Sequence, residues 1–126
     1  MPITHAIYLV SNTEKAVEFL GRTFDFSIQA DEITITGDRF LTMGETGGDG
    51  LHLQIINTEE QPAIAELKLK AGTVDFIFET SDIKKMMDRV KQQGLKIHRQ
   101  PIKAEYGWTA IFEDPFGNLW DLIQRN

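Results

Sequence analysis

Few side chains in this sequence can do chemistry, and most of them interrupt apolar runs that read as β-strands. His5 opens His-Ala-Ile-Tyr-Leu-Val, His52 and Gln54 sit in Leu-His-Leu-Gln-Ile, Asp75 in Val-Asp-Phe-Ile-Phe and Asp121 in Leu-Trp-Asp-Leu-Ile. Imidazole, amide and carboxylate groups so placed suit hydrogen bonding to a ligand, proton transfer or coordination of a cation. Trp108, alternating with Ala110 and Phe112, either packs in a core or offers a flat stacking face to a ligand. Such a face is worth about 0.5–1.5 kcal/mol beyond area burial. His98 and Arg99 lie on the preceding strand, where alternation turns one of the two inward. There is no cysteine, so thiolate nucleophiles, disulfides and zinc–thiolate sites are excluded. No Ser-His-Asp order or nucleophile-elbow sequence supports hydrolysis. The run from Gly44 to Gly50 is glycine-rich like a phosphate cradle, but a strand and not a helix follows it. It reads as a mobile loop, with a lid as its functional alternative.

The elements that must position these groups fit one compact domain of 126 residues with 41% hydrophobic content. A chain of this size buries roughly two thirds of its unfolded surface and needs no staples. Nineteen acidic residues against 13 basic ones give a formal charge of −6, which argues against a nucleic-acid partner. The start Met1-Pro2-Ile3-Thr4-His5 lacks the features of a secretion signal, and no apolar run is long enough for a membrane span. A cytoplasmic location and no membrane partner are the expectation.

Sliding the chain by 70 residues lays His5-Ala-Ile-Tyr-Leu-Val-Ser11-Asn12 on Asp75-Phe-Ile-Phe-Glu-Thr-Ser81-Asp82. After each strand-like run the period becomes helical. Ser11 with Glu14 spells a capping box before Ala16, Val17, Phe19, Leu20 and Phe24. In the second half Asp82 is the expected cap, Ile83, Met86, Met87 and Val90 form the buried stripe, and Gly94 ends the helix. Strands are expected at about 27–36, 39–43 and 51–57, then 96–100, 107–113 and 119–124. Both halves therefore read βαβββ, with module one at about 1–57 and module two at about 73–126. The segment 58–72 is a linker that carries either a short helix, with Pro62 in its first turn and Gly72 at its end, or an irregular connection.

The opening from Ile3 to Phe19, the paired modules and the ending Asp114-Pro115-Phe116-Gly117-Asn118-Leu119-Trp120-Asp121-Leu122 resemble the glyoxalase, bleomycin-resistance and extradiol-dioxygenase superfamily, also called vicinal oxygen chelate. The Asp-Pro-Phe-Gly-Asn turn is its most specific element. The resemblance implies an α+β fold in which two tandem βαβββ modules form a half-open eight-stranded cup with helices outside and small molecules inside. Homodimers are common in such families.

Strand parity then sorts core from cup. Val74, Phe76 and Phe78 form an apolar set, so Asp75, Ile77 and Glu79 face inward. His5, Ile7 and Leu9, His52 and Gln54, and Leu119, Asp121 and Ile123 share the inward side of their strands. Metal-dependent members of the family hold a divalent ion at positions matching His5, Gln54, Asp75 and Asp121. The third is usually His or a longer carboxylate and the fourth usually Glu; here both are Asp. One nitrogen and three oxygen donors suit Mg²⁺ or Mn²⁺ better than zinc. Asp121 after Trp120 also looks like the metal-free, antibiotic-binding branches. The expected function is therefore binding of an apolar or aromatic small molecule, contacted by His5, His52, Gln54, Asp75, Trp108 and Asp121, without a tightly bound metal or other cofactor. The alternative is a divalent-metal-dependent lyase, isomerase or dioxygenase of the same superfamily. A partner-binding module without any ligand is the third reading.

Overall fold

The computed structural model describes residues 3–126; Met1 and Pro2, read above as part of the N-terminal segment, lie outside the described residues. The chain divides into two compact units between Asn57 and Thr58. The first holds β1 (His5–Val10), α1 (Thr13–Phe24), β2 (Ser27–Ile33), β3 (Arg39–Gly44) and β4 (Gly50–Ile55). The second holds α2 (Gln61–Ala71), β5 (Phe76–Glu79), α3 (Ile83–Gln92), β6 (Lys96–Ala104), β7 (Gly107–Glu113) and β8 (Leu119–Arg125). The fold class is α+β, with the βαβββ order in both halves and one open four-stranded sheet in each.

In the first unit the sheet order is β1-β4-β3-β2, with β1 parallel to β4 and the other pairs antiparallel. Helix α1 forms because Ala16, Phe19, Leu20 and Phe24 fall on one face and are buried, together with Tyr8, Val10, Leu41, Met43 and Leu53 from the strands. Its cap is Asn12, not Ser11: the Asn12 side chain accepts from the Lys15 N–H at 2.9 Å, leaving Ser11 outside the helix. Asn and Ser cap about equally well, so the three-residue spacing to Glu14 was a weak guide. The glycine-rich segment is the β3–β4 hairpin connection, and it is fastened. The Gln29 amide donates to the carbonyls of Glu45 and Gly48 at 3.2 and 2.8 Å. Gly50 is needed there because a Cβ would come within 2.7 Å of the Met43 carbonyl oxygen, as well as 2.1 Å from Gln29 Oε1.

The second unit repeats the order as β5-β8-β7-β6. Asp82 caps α3 as expected, accepting from Lys85 N–H at 3.0 Å. Ile83, Met86, Met87 and Val90 are buried, as are Phe112, Trp120 and Leu122 of the strands. Trp120 stacks on Phe76, with ring centroids 4.6 Å apart. The segment expected as a linker contains a true helix, α2, that belongs to this unit. Its Ala65 clusters with Ile111 and Leu119, and Leu69 and Val74 pack against them. Strand β6 runs on to Ala104, past the expected end at 100. Pro101 is tolerated because β6 is an edge strand and the ladder is irregular between Arg99 and Ile102.

The Asp-Pro-Phe-Gly-Asn turn joins β7 to β8 around one buried carboxylate. Asp114 Oδ1 accepts from the N–H groups of Phe116 and Asn118 at 2.8 and 2.9 Å, and Oδ2 accepts from the Trp120 indole at 3.0 Å. Gly117 takes a positive φ of 84°, and a Cβ there would lie 2.7 Å from Gln61 at the start of α2. The turn thereby fixes the register Glu113↔Leu119, Ile111↔Asp121 and Thr109↔Ile123.

Three substitutions test this arrangement by urea or thermal denaturation. Asp114→Ala strands two main-chain N–H groups and an indole N–H and is expected to cost about 2–4 kcal/mol. Gly107→Ala places a Cβ 2.0 Å from the Gln124 carbonyl oxygen at a φ of 142°, and is expected to cost about 2–4 kcal/mol. Gly47→Ala, at positive φ but in open space, should cost only about 1–2 kcal/mol.

Candidate functional site

In the first unit the register pairs Ile7 with His52 and Leu9 with Gln54, so these side chains and His5 share the sheet face opposite Tyr8, Val10 and Leu53. The ring of Phe40 on β3 lies between two imidazoles, with its centroid 5.7 Å from that of His5 and 4.8 Å from that of His52. The Gln54 amide and the His52 ring meet at 3.0 Å, and His5 Nδ1 lies 3.0 Å from the Thr4 hydroxyl. An open recess of about 540 Å³ touches Phe40, His52 and Gln54 and extends to Arg39. Arg39 grips Asp31 through Nε and Nη2, both at 2.8 Å, and this hydrogen-bonded guanidinium holds the Asp31 carboxyl below its usual range.

In the second unit, Asp121 shares its sheet face with Thr109, Ile111 and Ile77. Arg99 Nη2 donates to the Thr109 hydroxyl at 3.0 Å, and that hydroxyl donates to Asp121 Oδ1 at 2.6 Å. The two opposite charges thus meet through one neutral hydroxyl. A cavity of about 360 Å³ opens on this chain of groups, walled by Leu69 of α2 and by Val74, Ile77 and Ile111, with His98, Arg99 and Asp121 at its polar side. His98 Nε2 lies 2.9 Å from Glu113 Oε1, and both side chains are nearly buried, 12% and 11% exposed.

Strict alternation would admit only one of His98 and Arg99 to this face, yet both line the cavity. The reason is a bulge: the ladder steps from Ile97↔Phe112 to Arg99↔Ile111, leaving His98 as an extra residue. Nothing in the local sequence announces a bulge there. Thr109 was also invisible, since a threonine on a strand carries no signal until its neighbours across the ladder are known.

The other residues singled out from the sequence lie elsewhere in the unit. Asp75 immediately precedes β5 and is turned to its own scaffold: one oxygen takes the Lys68 ammonium from α2, and the other accepts from the Leu119 N–H at 2.8 Å. Trp108 pairs across the ladder with Gln124 and so faces away from Asp121. It is 40% exposed, lies beside Met87 of α3 and the α3 cap Asp82 in a separate cavity of about 490 Å³, and has the Lys103 ammonium 5.7 Å from its ring.

For the divalent ion that the family resemblance implies, the donor chemistry is now explicit. A cation at Asp75 has to displace an ammonium already in place, and one at Asp121 competes with the Thr109 hydroxyl. Within either unit, no three His, Asp or Glu side chains among the described residues come together as a metal-holding group.

Comparison with known proteins agrees with this architecture. An uncharacterized protein of Shewanella frigidimarina (strain NCIMB 400) is 29% identical over 98% of this chain and 93% of its own. The crystal structure of TnmS3, an antibiotic binding protein from Streptomyces sp. CB03234, superimposes with a TM-score of 0.74 at 26% identity, covering 100% of this chain and 97% of that one. A lactoylglutathione lyase of Arabidopsis thaliana is 21% identical over 96% of this chain, which spans 43% of that longer protein. The sequence model of the Glyoxalase/Bleomycin resistance protein/Dioxygenase superfamily matches residues 3–122, nearly the whole chain, and the protein belongs to that superfamily.

Proposed function

We propose that this protein binds a small molecule, apolar or aromatic in its body, without a tightly bound metal. The observation that carries the reading is the second unit's cavity: about 360 Å³, apolar at Leu69, Val74, Ile77 and Ile111, with Arg99, His98 and Asp121 converging on it. That volume falls within the range of roughly 300–1,000 Å³ that ligand sites occupy, and a few polar groups among apolar walls are their usual composition. Similarity to a protein described as antibiotic binding, over the full chain, supports the same direction. His5, His52 and Gln54 provide a second set of ligand contacts on the first unit's sheet face beside Phe40. The donors as arranged do not fit a resident ion, because both Asp75 oxygens are engaged by Lys68 and the Leu119 N–H.

In the same reading the protein works in the cytoplasm as a homodimer. Ile28 and Ile33 on the edge strand β2 are 49% and 70% exposed, and an open apolar sheet edge favours pairing with a second copy. No helix among the described residues is long and apolar enough to cross a membrane.

The second reading, a divalent-metal-dependent lyase, isomerase or dioxygenase, draws on the partial match to lactoylglutathione lyase. One set of titrations separates the two. The purified chain is followed by thermal shift and calorimetry with neutral planar aromatics, 1-naphthamide among them, and with Mg²⁺, Mn²⁺ and Zn²⁺. We expect the aromatics to stabilise it, by about 2.7 kcal/mol at a hundredfold excess over Kd, and the ions to leave it unchanged. Stoichiometric metal after purification, or stabilisation by Mn²⁺ that Asp121→Ala abolishes, with no response to the aromatics, would transfer the assignment to the enzyme.

A further inference from the structure

We propose that Arg99 selects ligands bearing a single acidic oxygen group, so that the second unit's cavity takes an aromatic or apolar monoacid in preference to its neutral analogue. The inference rests on the binding reading above and adds the ligand's charge. Arg99 Nε is buried and is the described buried side-chain nitrogen or oxygen that lacks a hydrogen-bond partner. A buried N–H without an acceptor is unfavourable, and supplying one recovers that cost.

The same molecule shows what this edge of a guanidinium does when a carboxylate is offered. At Arg39, Nε and Nη2 form a side-on fork that holds both oxygens of Asp31 at 2.8 Å. At Arg99, Nη2 of the equivalent fork is held by Thr109 at 3.0 Å and Nε has nothing. The charge is also unneutralised at contact distance. Arg22, Arg39 and Arg125 each pair with a carboxylate, whereas Arg99 makes no ion pair among the described residues and reaches Asp121 only through the Thr109 hydroxyl. Glu113, the other carboxylate nearby, is engaged by His98. An acidic oxygen entering past Ile77 and Ile111 would make a charge-assisted bond to the guanidinium inside apolar walls, where such bonds are stronger than in water, and a rotation of the guanidinium toward it would give the buried Nε the acceptor it lacks. Arg99 brings one positive charge to match one acid group, and a second would face the Asp121 carboxylate with no cation left to offset it.

The test compares 1-naphthoate with 1-naphthamide, two molecules of nearly equal shape, by calorimetry on the full chain at pH 7.5. The acid is expected to bind at least tenfold more tightly. In Arg99→Met the two should bind within about threefold of each other, and in Arg99→Lys part of the preference should return. Thr109→Val, which removes the hydroxyl that holds the guanidinium while keeping its shape, should reduce the preference several-fold without abolishing amide binding. Equal affinities in the unsubstituted protein, or a preference that survives Arg99→Met in a folded variant, would overturn the selection by Arg99 and leave the binding reading intact. Binding of neither compound overturns both.

Discussion

Everything distinctive about the second unit hangs on the Asp114 carboxylate. It lies 4% exposed in the β7–β8 turn and holds two main-chain N–H groups and the Trp120 indole. Because side chains alternate across a sheet, a slip of one residue in this pairing would exchange the two faces. Trp120 and Leu122 would leave the α3 core and Asp121 would leave Thr109. The turn therefore sets the core and the cavity in one act. It also seats the start of α2, since the Gln61 side chain donates to the Phe116 carbonyl and Gly117 leaves no room for a Cβ beside Gln61. Through α2 the same turn supplies the Leu69 wall of the cavity and the Lys68 ammonium that holds Asp75.

Much of this architecture was legible in the sequence, because it was written in local codes. The repeat, the Asp82 cap, the helical stripe of Ile83, Met86, Met87 and Val90, and the Asp-Pro-Phe-Gly-Asn turn each state their structure within a few residues. Parity along β1, β4 and β8 correctly grouped His5 with Ile7 and Leu9, and Asp121 with Leu119 and Ile123. What was not legible depended on events between strands. The bulge at His98 turns two consecutive residues to one face, and no single-strand pattern contains that information. The helix in the segment 58–72 was undecided by propensity and is settled by packing of Ala65 and Leu69 on Ile111 and Leu119.

The candidate site was legible in its residue types more than in their roles. Asp75 looked like a free ligand because its strand placed it beside apolar neighbours, but its partner Lys68 sits on a helix whose position the sequence left open. Asp121 was found by position, and its environment depends on Thr109 and Arg99, which only the paired ladder brings to it. Trp108 and Asp121 lie on adjacent strands yet face opposite sides of the sheet, so the aromatic that attracted notice and the polar chain belong to different surfaces. A superfamily that shares one scaffold varies its function through such substitutions in the site. Here the proposed change is from donors that would hold an ion to groups that hold each other and leave one guanidinium nitrogen for a ligand.

That proposal places the ligand on one particular face of the second unit, and nuclear magnetic resonance can locate it directly. Titrating 1-naphthoate into uniformly ¹⁵N-labelled protein, with the arginine Nε–H signals recorded alongside the backbone amides, reports the surface that changes. The largest shifts are expected on Ile77, Thr109, Ile111 and Asp121 and on the side-chain Nε–H of Arg99. Shifts concentrated instead on Trp108, Met87 and Asp82, with the Arg99 signal unmoved, would contradict that proposal.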